Sequence, residues 1–323
     1  MILVCGEALI DLFVGEDDGT ALAARAAPGG SPFNVAIALG RLGRPVGFCG
    51  GLSTDRFGDV LAERLARAGA DTAFAPRLAG PTTIGVVAPR PNGDVSYAFH
   101  GHGAADRSLT GADLPQSLPE TVTALTFGSF SLAVDPAGAA YLALAQREAG
   151  ARVISLDPNL RAMVTPDLVA WRARIADFLD CADIVKASAE DVADGFGVDP
   201  AHADALEALV GAWLDGGVRL VVVTHGPGGA QAWLRTAEGV ARLATPGRAV
   251  TVADTVGAGD TLHAALLARL DAQGLLDTAG LARLTPAIVE DALAFAVCAA
   301  SITCERPGAN PPTSAEAAAR LTG

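Results

Sequence analysis

The sequence predicts an α/β fold built on a parallel sheet, on three observations. Short β-branched or apolar runs alternate with alanine- and leucine-rich stretches at helical spacing. Half of the residues are apolar and 18% are charged. With 323 residues there is ample chain to bury a core. Strand–helix alternation of this kind needs a parallel sheet covered on both faces, and the composition excludes a disordered chain.

The first strand is 2–5. The opening MILVCGEALIDLF has no positive leader and carries Glu7 and Asp11 within its apolar stretch, so it reads as a strand rather than a signal peptide. Buried strands follow at 46–49, 124–127, 153–156, 184–185 and 220–224. Helices are expected over 34–42, 59–68, 137–149, 168–179 and 203–214. The stretch 82–99 breaks the alternation, with two strand-like runs around Pro91-Asn92-Gly93-Asp94. That Asn-Gly signal predicts a hairpin, either a flap over a ligand or a surface decoration. No repeat or linker divides the chain, so residues 1–323 are expected to form one α/β domain with a small β-accessory.

Charge narrows the function. The net charge is −13, and of 23 basic residues only Lys186 is a lysine. An acidic chain gives no electrostatic reason to bind nucleic acid. Lys186 lies in Ile-Val-Lys-Ala-Ser, which excludes a Gly-Lys-Ser/Thr P-loop. The uncharged run 292–304 is too short for a bilayer, so no membrane partner is expected. Five cysteines (5, 49, 181, 298 and 304) without C-x-x-C pairing read as buried free thiols in a cytoplasmic protein, ahead of a zinc site or disulfides.

If the chain handles phosphate, it must do so by means other than a P-loop. A strand-like run at 249–252 leads into Asp254-Thr255-Val256-Gly257-Ala258-Gly259-Asp260 and a helix with Leu262, Leu266 and Leu270 on one face. Gly257, Ala258 and Gly259 thus sit at a helix N-terminus, where unpaired N–H groups bind anions without a cation. Asp260 in the first turn is either a helix-start carboxylate or a general base facing that anion site. A second cluster, Thr224-His225-Gly226-Pro227-Gly228-Gly229, follows strand 220–223. It is either a tight turn or a loop on which a nucleotide lies. No G-x-G-x-x-G follows the first strand, which disfavours a nicotinamide dehydrogenase.

Polar groups suited to a polyol are scattered. Gly29-Gly30-Ser31-Pro32-Phe33-Asn34 pairs two small residues with an amide that both donates and accepts, unless Asn34 only caps the helix. Asp11 could accept from two hydroxyls or be a solvated strand end. Arg161, in Asp157-Pro158-Asn159-Leu160-Arg161, could brace an anionic oxygen or pair with Asp157.

In this order the motifs resemble the ribokinase-type (PfkB) carbohydrate kinases. Gly29 through Gly43 is similar to their N-terminal signature, and Asp254 through Asp260 to their C-terminal one, about 220 residues apart. Gly50-Gly51, Phe127-Gly128-Ser129, Asp157–Arg161 and Gly308-Ala309-Asn310-Pro311 fall between and after them in the family's order. The resemblance implies a three-layer, ribokinase-like sandwich with a mostly parallel sheet. A small β-lid would form from about 12–28 and 80–103, and could pair two subunits as a homodimer. It implies ATP-dependent phosphorylation of a sugar hydroxyl with Mg²⁺. Asp260 would be the catalytic base, with Gly257, Ala258 and Gly259 as the anion hole. Asp11, Gly29, Gly30, Asn34 and Arg161 would hold the sugar. Lys186, Ser188, Thr224, Gly226, Gly228, Gly229 and Ala299 would border the nucleotide.

Three positions depart from the family pattern. Ser188-Ala189-Glu190-Asp191 stands where many members have Asn-x-x-Glu, leaving Glu190 and Asp191 as metal residues acting through water. Val256 replaces a frequent threonine beside Asp254, the residue implied for a monovalent cation such as K⁺, and Leu262 replaces a frequent phenylalanine. The Asp-Pro-Asn-Leu-Arg segment, Lys186-Ala187-Ser188 and Ile302-Thr303-Cys304 are most similar to bacterial fructokinases, which makes fructose the expected substrate. The alternatives are a 2-keto-3-deoxygluconate kinase, a nucleoside kinase, or a sensor that has lost turnover.

Overall fold

The computed structural model describes residues 1–89 and 95–322. A nine-stranded sheet forms its centre, in the spatial order Gly239–Thr245, Ala230–Thr236, Leu220–Thr224, Ile184–Ser188, Val153–Asp157, Ala124–Gly128, Ile2–Cys5, Val46–Cys49 and Ala70–Asp71. All neighbours from Leu220–Thr224 to Ala70–Asp71 pair in parallel, and the other two strands form an antiparallel extension at one edge.

Alternation along the strands divides the core into two layers. Ile2, Val4, Ile184, Leu220 and Val222 face a cluster with helices Ser31–Arg41, Ala258–Ala272 and Pro286–Cys304. Leu3, Cys5, Val185, Val221 and Val223 face helices Ala137–Glu148, Leu168–Leu179 and Ala203–Asp215. A strand buried on both faces reads as a continuous apolar run, which is why all six predicted strands form. The five predicted helices form too, within three residues at either end.

Three differences from the sequence reading stand out. Residues 249–252 make no strand; the sheet extension is built instead from Ala230–Thr236 and Gly239–Thr245. The helix Ala258–Ala272 does not present one apolar face, because Asp260–Ala268 are all buried between the sheet and two other helices. Pro286–Cys304 is 19 residues long and apolar enough by length and composition to cross a membrane, but it packs in the core with Val289, Leu293, Ala296 and Cys298 buried.

A separate four-stranded sheet stands over one end of the large one, in the order Leu22–Gly29, Leu9–Asp17, Ile84–Pro89 and Val95–His100. The last two strands pair antiparallel as the hairpin signal requires, while the turn at 91–94 lies outside the described residues. All five cysteines are free; Cys181 and Cys304 are half-buried, the others buried.

Candidate active site

Five adjacent parallel strands end on one cavity of about 1020 Å³, and the residue next after each strand, or shortly beyond it, lines that cavity. These are Glu7, Ser129, Asn159 with Arg161, Glu190, and Gly226. The carboxyl edge of a parallel sheet is where such folds bind ligands. The four-stranded sheet closes one end through Leu9, Asp11, Phe13, Val87 and Phe99.

Two helix N-termini meet at the middle of the cavity. Ser31 opens the helix Ser31–Arg41 after Gly30, whose φ of 102° is the left-handed backbone that suits glycine. Gly257 caps Ala258–Ala272 with φ 75°, and a Cβ there would lie 2.6 Å from that of Ala309. Asp260, in the first turn of this second helix, is 8% exposed. Its Oδ1 accepts from Ser31 Oγ at 2.6 Å, and its Oδ2 accepts from Asn34 Nδ2 at 2.8 Å. Asn159 donates to the same Ser31 hydroxyl at 2.7 Å and accepts from Arg161 Nη1 at 2.6 Å. An unbroken chain of hydrogen bonds therefore runs from Arg161 to Asp260. Asn159 and Ser129 are the non-glycine residues with positive φ (39° and 66°) among those described, and both line the cavity. Local strain gathers at functional sites in this way.

Beneath the helix start lies a buried ion pair. Lys186 Nζ donates to Asp157 Oδ2 at 2.8 Å, with both side chains under 5% exposed. Burial pulls the Lys186 ammonium down, but the carboxylates of Asp157, Asp191 and Asp260 outweigh it and hold its pKa above the usual value. A Cβ on Gly259 would sit 3.3 Å from Lys186 Nζ, so the chain's one lysine lies directly under the Gly-Ala-Gly segment. His263 is pushed down to about 3 by burial and by the Lys186 charge, so it is neutral and shares a 2.7 Å hydrogen bond with Ser155 Oγ.

Of the residues singled out from sequence, Asp11, Gly30, Asn34, Arg161, Lys186, Ser188, Glu190, Thr224, Gly226, Gly229, Gly257, Ala258, Gly259 and Asp260 all line this cavity. Five do not. Gly29 stands behind Asp11, where a Cβ would come within 2.2 Å of Asp11 Oδ2. Gly228 borders a second, smaller cavity with His225, Gln231 and Trp233. Ala299 is fully buried, and its helix reaches the site through Val297, Ala300, Ser301 and Cys304. Asp254 braces its loop, accepting from Val256 N at 3.0 Å and Gly308 N at 2.8 Å. Asp191 is buried, with Oδ1 accepting from Leu160 N at 2.7 Å and Oδ2 from Ser188 N and Oγ at 2.9 and 2.8 Å. Glu190 is thus the carboxylate of this pair that reaches the cavity, and no cluster of three or more metal-ligating side chains exists among the described residues.

Sequence reasoning assigned no role to Glu7, Ser31, Ser129, Asn159 or Phe130, all of which line the cavity. The ring of Phe130 meets Phe99 edge-on at 6.0 Å, joining the large sheet to the small one. Residues 247–250 also line it, as irregular chain.

A cleft at the carboxyl edge of a parallel sheet, where two helix N-termini and a held carboxylate meet, is an arrangement suited to a small-molecule phosphotransferase. Residues 1–316 match the family described as pfkB family carbohydrate kinase. A fructokinase of Rhizobium leguminosarum bv. trifolii is 43% identical over 284 residues, covering 85% of this chain and 81% of its own. Among solved structures, a fructokinase with bound ATP from Xylella fastidiosa superposes with a TM-score of 0.88 at 28% identity, over 99% of this chain and 98% of that one. A fructokinase from Vibrio cholerae O395 in a fructose-, ADP- and calcium-bound form gives 0.79 at 26% identity, over 99% and 98%. The chain belongs to the pfkB family of carbohydrate kinases.

Proposed function

We propose that this protein transfers the γ-phosphoryl group of ATP to a hydroxyl of fructose, with Asp260 as the general base. The observation that carries this reading is Asp260 itself, held through both oxygens at a helix N-terminus in the middle of the cavity. The sugar lies at the end closed by the small sheet, against Asp11, Gly30, Asn34 and Arg161. The nucleotide lies at the other end, against the 224–229 loop, Arg248 and the helix Pro286–Cys304.

In this reading Asp260 takes the proton as the sugar oxygen attacks the γ-phosphorus. The bond from that phosphorus to the β-phosphate oxygen breaks, and ADP leaves. The N–H groups at the helix start, pointing along the dipole, receive the charge that spreads over the transferring oxygens. Lys186 adds a fixed positive charge below them. Its pairing with Asp157 keeps it in place without exposing it to solvent.

A magnesium ion fits this donor set. Mg²⁺ takes one or two protein carboxylates and completes its shell with water and phosphate oxygens. Glu190 is the cavity-lining carboxylate suited to hold it through water, since both Asp191 oxygens are already engaged. The ion would supply neutralisation of the polyphosphate charge. Five free thiols support a cytoplasmic setting. The outer lid strand Leu22–Gly29, with Leu22 60% exposed, is the surface on which a homodimer would form.

The test is ATP consumption with fructose, ribose, 2-keto-3-deoxygluconate and adenosine, with and without Mg²⁺. Turnover is expected with fructose and only with the metal. Preference for another sugar would move the substrate assignment, and no turnover at all would overturn the kinase reading.

A further inference from the structure

Glu7 follows the first strand and is 1% exposed, yet it lines the cavity together with Leu9, Asp11, Ser129 and Phe130. The Ser129 and Ser131 hydroxyls act on its charge, and Ser131 Oγ donates to Gly128 O at 2.8 Å. Its Oε2 has no hydrogen-bond partner. A buried polar oxygen left unpaired costs about 1–3 kcal/mol, so a side chain of this kind on a cavity wall marks a place for a ligand group.

We propose that Glu7 is a specificity-determining residue of the kinase, its carboxyl hydrogen-bonding directly to a hydroxyl of the bound sugar. The inference rests on the sugar end assigned above. A hydroxyl is the ligand group that fits, because it donates to a carboxylate and accepts from a carboxylic acid. Asp11 is the second carboxyl on this wall, with the Arg161 guanidinium acting on it, while Arg107, half-buried, stacks under the Phe130 ring at 4.9 Å and does not line the cavity. Asp106, whose charge also acts on Glu7, is buried, bonded by Thr83 Oγ1 at 2.6 Å, and likewise absent from the lining. A site built around a buried polar group discriminates strongly against analogues that lack the matching hydroxyl.

The experiment is calorimetric binding of fructose and its monodeoxy analogues to wild type, Glu7→Gln and Glu7→Ala, each saturated with a non-hydrolysable ATP analogue. Glu7→Ala is expected to weaken fructose at least ~10-fold. The affinity for the ATP analogue should stay within twofold. One deoxyfructose should lose ~10-fold on wild type and lose nothing further on Glu7→Ala, which a merely structural role for Glu7 would not produce. Wild-type affinity for fructose in Glu7→Ala, or a full deoxy penalty at every position in that variant, overturns the proposal. Should Glu7→Ala not fold, Glu7→Gln decides the matter: it must change the penalty of that one analogue and no other. Failure of the fructose assignment gives a separate signal, no binding of fructose to wild type, and the same deoxy comparison then runs on the sugar that is turned over.

Discussion

Ser31 donates its hydroxyl to Asp260 Oδ1 at 2.6 Å, although 229 residues separate them in the chain. The bond ties the start of one helix to the start of another, and Asn34, one turn further along the first helix, holds the other oxygen. A general base works only when its lone pair meets the reacting hydroxyl in a fixed direction. Asp260→Asn keeps the shape, turns one of the two accepting oxygens into a donor, and cannot take a proton. Its kcat should fall at least ~10²-fold, while the affinity for ATP, measured by calorimetry, stays within a few-fold. Unchanged turnover would remove Asp260 from the role assigned here.

The same geometry separates holding from reacting. Ser31→Ala removes one anchor of Asp260 and also strands the Asn159 amide that donates to the Ser31 hydroxyl. The base remains, less well aimed. The expected outcome is a kcat lowered by ~10-fold, smaller than for Asp260→Asn, with KM for the sugar changed less than kcat. Steady-state kinetics on the two variants side by side give the comparison.

How much of this was legible depends on how local each signal is. Residues 2–5 and 220–223 read as strands because burial on both faces leaves no polar residue in the run. The start of the small sheet was harder: Leu9–Asp17 begins before the expected position 12 and follows the first strand after only three residues. Residues 249–252 are as β-branched as a strand but have no neighbour to pair with, and pairing is a tertiary fact. At the site, Gly257 and Asp260 were legible because a helix start has its own sequence grammar. Asn159 and Glu7 were not, since their meaning lies in partners from other strands. The signal available for Glu7 was its acidic side chain two residues past a fully apolar strand.

Lys186 offers a test that separates stability from chemistry. Lys186→Met leaves Asp157, 2% exposed and already raised by burial to about 7, without its cation. Breaking such a pair from one side costs about 3–5 kcal/mol, so a large drop in Tm is expected. Adding Asp157→Asn to the same chain removes the orphaned carboxyl and should recover most of that stability. Activity should not recover, because the positive charge beneath the Gly257–Gly259 segment is still missing. Recovery of both would reduce the ion pair to a structural role.

Glu7 makes the stability of the fold depend on pH. Burial raises its pKa from the ordinary 4.5 to about 7, against the opposing effect of the Ser129 and Ser131 hydroxyls. The folded state therefore holds this proton more tightly than the unfolded chain does. Stability falls as pH rises from about 4.5 to about 7, and the loss is complete above that window. The size is about 3 kcal/mol for one fully buried carboxyl at this shift. Glu7→Gln carries no titrating group, so it should melt several degrees above wild type at pH 8. The two melting curves should converge as the pH is lowered to 4.5. Differential scanning calorimetry across that range without ligand checks the sign directly: a gap that is constant with pH, or that widens on acidification, would show that the Glu7 carboxyl is not the group being held neutral.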